Sequence, residues 1–230
     1  MEPYELKEAR LEKGLGQTEV AARLGVSQAY VNLLESGKRR LTPKLARKFA
    51  AFYGLSADVL PVAEDFKAEP TDNDRLAQAL GKLGYPGFAY MRSHVAKKNP
   101  SEVLLMALAQ ESLDGRVAQA LPWLALEYWH MRSEWLVDQA RRLNLQNRLG
   151  FVVTLARLVS ERYAQDENRT RALQALESVL NESRLAKEDA FYRKPKTESE
   201  KVWLEQNRPE AARHWNLLAD MRPEHLQYAS

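Results

Sequence analysis

A three-residue connection, Gly25-Val26-Ser27, joins two short amphipathic stretches and dictates a tight turn between helices. Gly25 can take the left-handed backbone conformation, Val26 can anchor the turn in a core, and Ser27 can cap the helix that follows. The stretch before the turn, Gln17 to Leu24, carries Val20, Ala21 and Leu24 at helical spacing. The stretch after it, Gln28 to Ser36, places Val31 and Leu34 on one side and leaves Gln28, Ala29 and Asn32 on another.

A short helix with an amide-bearing free face suits the major groove of DNA, where Gln and Asn pair in bidentate fashion with adenine. The flanking sequence extends the pattern. Leu6-Lys7-Glu8-Ala9-Arg10-Leu11 begins an amphipathic helix that Lys13-Gly14-Leu15-Gly16 ends, and the whole span from Leu6 to Leu60 reads as five short helices.

Gln17, Ala21, Leu24-Gly25-Val26-Ser27, Val31, Leu34-Glu35-Ser36-Gly37-Lys38-Arg39, Leu45 and Tyr53-Gly54-Leu55 up to Leu60 together resemble the Xre/Cro-like, phage-repressor type of helix-turn-helix domain. The resemblance covers residues 3–62 and implies that the third helix enters the major groove while the start of the second holds the phosphate backbone. It implies base reading by Gln28, Ala29, Asn32 and Leu33, and backbone contacts from Gln17, Thr18, Ser27, Tyr30, Lys38, Arg39 and Arg40. Arg10 and Glu35 match positions that the family often pairs as a buried salt bridge, which implies a structural ion pair. Two residues depart from the pattern. Gly16 stands where Ser or Thr is commoner, and Leu33 stands where a polar or basic residue is usual, so that it either touches a thymine methyl or packs under the following loop.

The charge distribution points the same way. Ten Lys/Arg stand against seven Asp/Glu through Val62, and the remaining 24 basic residues balance 24 acidic ones, so the whole net charge of +3 lies in the first segment. The absence of cysteine excludes disulfides, cysteine-ligated metal and thiol nucleophiles. The charged start Met1-Glu2-Pro3-Tyr4-Glu5 has no apolar stretch of the secretory kind, and no later segment approaches the roughly 20 apolar residues of a membrane span. A cytoplasmic protein without membrane partners is expected.

Periodicity lapses between Pro61 and Pro70, which divides the chain into a DNA-binding domain (1–62), a linker (63–73) and a helical domain (74–230) for dimerisation, sensing or partner binding. The spacing predicts helices over 72–83, 88–97, 100–112, 114–128, 134–143, 146–163, 169–181, 185–191, 198–206 and 209–221, making the chain all-α, with stacked helical hairpins as one possible arrangement. Leu149-Gly150-Phe151-Val152-Val153 looks strand-like alone, but its continuation favours a long buried helix. Pro122 either kinks a helix or starts its second half. Trp123, Tyr128, Trp129 and Trp135 concentrate aromatic area, read first as core and second as a ligand or partner cluster.

Glu127-Tyr128-Trp129-His130 has the spacing of di-iron ligands, but the second copy such a site needs is missing. Glycine loops for phosphate, a His-Glu zinc helix and a serine elbow are absent as well, so no catalytic residue, metal or cofactor is expected. The sequence therefore predicts a DNA-binding transcriptional regulator, a repressor acting on double-stranded DNA as a homodimer. The alternative is an antitoxin-type protein that neutralises a protein partner through its helical domain and autoregulates its operon.

Overall fold

The computed structural model describes residues 1–92, 95–164 and 166–226. They form two compact units, one of Met1–Ala63 with Lys97–Asn99 and the other of the remaining chain. The first unit comprises α1 (Pro3–Glu12), α2 (Gln17–Leu24), α3 (Gln28–Glu35) and α4 (Pro43–Tyr53), and in place of a fifth full helix it has a single 3-10 turn at Ala57–Val59. Leu6, Val20, Leu24, Val31, Leu34, Phe49 and Tyr53 meet in its core. Thr42 caps α4 by accepting the Leu45 N–H, and Pro43 fits the first helical position because no partner is needed there for its missing N–H. Asn99 completes the unit by donating its Nδ2 to the carbonyls of Asp58 and Leu60 at 2.8 and 2.6 Å.

The second unit contains α5 (Asn73–Leu83), α6 (Pro100–Leu108), α7 (Gly115–Glu127), α8 (Ser133–Arg142), α9 (Gln146–Val159), α10 (Glu167–Asn181), β1 (Asp189–Ala190), α11 (Glu198–Asn207), α12 (Glu210–His214) and β2 (Leu217–Leu218). With one two-residue parallel pair, β1 with β2, against twelve α-helices among the described residues, the architecture is all-α. The run 149–153 is helical. Leu149, Phe151, Val152, Val153, Leu155 and Ala156 are fully buried, and a helix that is apolar all round belongs in an interior. Accordingly α9 packs against α6, α7, α8, α10 and α12. A helix surrounded in this way is the centre of a cluster, whereas stacked hairpins would each touch only their neighbours. α9 ends in one π-helical turn, Ser160–Ala164, and α7 is continuous from Gly115 to Glu127 with Pro122 inside it.

Three predicted helices do not form as the spacing suggested. Over its described part, 88–97 begins at the end of a 3-10 turn (Pro86–Phe88) and is then irregular; Ser93 and His94 lie outside the described residues. The stretch 185–191 is not helical but bends into the two-residue strand β1, where side chains of α9 grip its backbone and its acid. Asn147 exchanges hydrogen bonds with both the carbonyl and the N–H of Leu185, and Arg148 forks onto Asp189 at 2.6 and 3.0 Å. Phe191 is buried edge-on against Phe151. The stretch 209–221 is helical only through His214, since Asn216 adopts a φ of 51° and turns the chain into β2.

The segment 63–73 is held along the second unit from Phe66 onward. The Phe66 ring meets Trp135 edge-on at 5.6 Å, and Thr71 donates its N–H to Gln110. No helix among the described residues is long and apolar enough to cross a membrane.

Candidate nucleic-acid interface

α2 stops where Gly25 takes a φ of 71° and a ψ of 39°, and the N–H groups of Gly25 and Val26 both return to the carbonyl of Ala21. A side chain at Gly25 would strain that left-handed turn. Ser27 then opens α3, its Oγ accepting the Tyr30 N–H at 3.1 Å, while Gly16 opens α2 without any side-chain cap. Val31 and Leu34 seal α3 onto the core, and the far face presents Gln28, Ala29 and Asn32 to solvent.

That face is braced from behind. Arg10 clasps Glu35 through Nε and Nη2 at 2.7 and 3.0 Å, and it donates a third hydrogen bond to the carbonyl of Leu15. Both charged side chains are almost entirely buried, at 9% and 5% exposure, so the pair is dry and its geometry is fixed. Gln17 donates Nε2 to Glu35 at 2.9 Å and with its Oε1 accepts the Nε2 of Gln28 at 2.7 Å. One chain of hydrogen bonds thus runs from the buried guanidinium to the first residue of the exposed α3 face.

Burial works to raise the Glu35 carboxyl, but the hydrogen bonds from Arg10 and Gln17, with the charge of Arg10, outweigh it and hold the group below its ordinary 4.5. The hydrogen bond to Glu35 pushes Arg10 upward in turn. Burial, helped by the Glu35 charge, lifts the Tyr53 phenol to about 12, so the residues behind the face keep one charge state across the neutral range.

After α3 the loop folds back, with the Arg39 N–H bonded to the carbonyl of Leu33 at 3.1 Å, and Lys38, Arg39 and Arg40 stand exposed beside the end of the helix. Thr18 is exposed at the start of α2. Leu33 and Tyr30 are half-buried, and Tyr30 packs against the core of the unit.

The aromatic residues of the second unit fall into separate places. Trp123 and Tyr128 meet edge-on at 6.4 Å in a buried group with Tyr85, where the Tyr128 hydroxyl donates to the carbonyl of Leu83. Trp129 instead lies against His130, and Trp135 against Phe66. Sequence reasoning missed the Gln17–Gln28 hydrogen bond. The available signal was an amide residue opening each of two helices joined by a tight turn, an arrangement that brings both first residues to one edge.

The helix-turn-helix family model matches residues 6–60. The ImmF control region 10 kDa protein of Bacillus phage phi105 is 35% identical over 72 residues, a stretch that covers 31% of this chain and 80% of that protein. No solved structure matches the chain significantly. Through its first unit, the chain belongs to the helix-turn-helix family of the Xre/Cro-like, phage-repressor type, and it is a DNA-binding transcription regulator.

Proposed function

We propose that the protein is a sequence-specific repressor that binds a short inverted-repeat operator as a homodimer. One α3 reads only a few base pairs, and a two-fold pair of them supplies the length a genomic site needs. The reading face is Gln28, Ala29 and Asn32, with Leu33 at its edge. Gln17, Thr18, Ser27, Tyr30, Lys38, Arg39 and Arg40 hold the phosphates.

The observation that carries this reading is the brace behind Gln28. Gln17 fixes the amide of Gln28 in one orientation, which spares the entropy of ordering it on DNA and leaves its Oε1 to meet a base. The basic excess of the first 62 residues and the control-region name of the phage relative agree with it.

The test is a footprint of the purified protein on the DNA upstream of its own gene, repeated with Asn32→Ala. Discrete protection of two symmetric half-sites, lost in the variant, is the expected result. Uniform coverage insensitive to Asn32 would remove the sequence-specific reading.

A further inference from the structure

α8 and α10 leave between them a cavity of about 580 Å³, within the range of small-molecule sites. Val137 and Leu176 form an apolar base, and α10 offers only methyl groups at Ala172 and Ala175, so the space is not filled from that side. Val179 lies at the rim with 41% of its surface exposed, and Trp129 supplies an aromatic wall. Such a lining favours an apolar body.

The charged groups select its sign. Glu134 and Asp138 both line the cavity from α8, one turn apart. Arg141 also lines it and keeps its positive charge, but its guanidinium is held by Ser183 Oγ at 3.0 Å and the Val179 carbonyl at 3.5 Å at the end of α10, about two helical turns along α8 from Glu134. Asp138 is bridged by Arg142 at 3.1 Å. Among the described residues lining the cavity, Glu134 is the carboxylate with no ion pair, and the indole of Trp129 lines the same space.

We propose that this cavity binds a lipophilic organic cation, its positive group between the Trp129 ring and the Glu134 carboxylate and its apolar body against Val137, Leu176 and Val179. The site lies wholly within the second unit, so it is read without DNA and stands or falls independently of the repressor proposal.

Calorimetric titration of the full chain with tetraphenylphosphonium and with tetraphenylborate, two ions of the same shape and opposite charge, tests it. The cation should bind one-to-one, about tenfold or more tighter than the anion, because the same apolar surface is available to both and only the charge differs. Glu134→Gln should weaken the cation about fivefold or more while leaving the anion unchanged or tighter. Filling the cavity with Ala175→Trp, or with Ala172→Phe, should remove binding in chains whose circular dichroism and melting match the parent. Equal affinities for the two ions, no cation binding at millimolar concentration, or cation binding untouched by the filling variants would overturn the proposal.

Discussion

Gln28 donates its side-chain amide to Gln17 at 2.7 Å, across the turn that separates the two helices. Gln17 is itself anchored on Glu35, so the first residue of the reading face is positioned by an ion pair two hydrogen bonds behind it. The two glutamines should therefore act as a unit on DNA. In a double-mutant cycle of Gln17→Ala and Gln28→Ala, measured by fluorescence anisotropy on the operator, the coupling should be about 0.5–1.5 kcal/mol. Strictly additive losses would mean that the hydrogen bond does not survive in the complex.

Asn32 and the basic loop should differ in kind. Asn32→Ala is expected to weaken operator binding by about 1–3 kcal/mol while hardly changing binding to scrambled DNA, since only a base edge distinguishes the two. Lys38→Ala with Arg39→Ala should weaken both DNAs alike and flatten the salt dependence of the affinity by about 0.9 in log–log slope for each phosphate no longer neutralised. Equal losses on both DNAs for Asn32→Ala would move that residue from reading to support.

The Arg10–Glu35 pair should matter to the first unit mainly through what its loss leaves behind. Arg10→Met strands a buried carboxylate and should cost about 3–5 kcal/mol in urea unfolding, whereas replacing both residues with Met should cost far less. The pH dependence follows from the lowered Glu35 carboxyl. Below its ordinary 4.5 the unfolded chain binds the proton first, so the contribution of the pair is complete above that pH and is lost as pH falls through the folded value. The double Met variant should lack that acid slope, and an unchanged slope would assign it to other carboxylates.

The first unit was legible because its signals are local. Gly25, Ser27 and the apolar spacing of α2 and α3 each act within a few residues, and the family pattern sits on the same positions. In the second unit the long apolar run of α9 was equally plain. What the sequence hid is decided at a distance. Nothing near Leu185 announces that Asn147 will take both of its backbone hydrogen-bonding groups, and the apolar residues of 209–221 keep helical spacing although Asn216 breaks the helix. The four aromatics of 123–135 looked like one cluster by proximity in the chain, yet Trp135 is claimed by Phe66 from far upstream. Gln17 and Gln28 fall between these cases, since each was visible as a site residue but their mutual bond depends on the packing of two helices.

Gly150 in α9 gives the sharpest test of packing in the second unit. A Cβ at this position would lie 2.4 Å from Cη2 of Trp215. That ring cannot swing aside, because it is fully buried and its Nε1 donates to Thr154 Oγ1 at 2.8 Å; Thr154 in turn donates to Glu177 at 2.7 Å. In an open helix, replacing Gly with Ala gains about 1 kcal/mol. Here overpacking should outweigh the gain, and Gly150→Ala is expected to destabilise the chain by about 1–3 kcal/mol in urea unfolding. In a Trp215→Leu background, where the ring is gone, the same substitution should become neutral or stabilising, because the helical preference of Ala is then unopposed. If Gly150→Ala is harmless in the parent chain, the indole does not lie against that backbone, and the central packing of α9 with α12 must be redrawn.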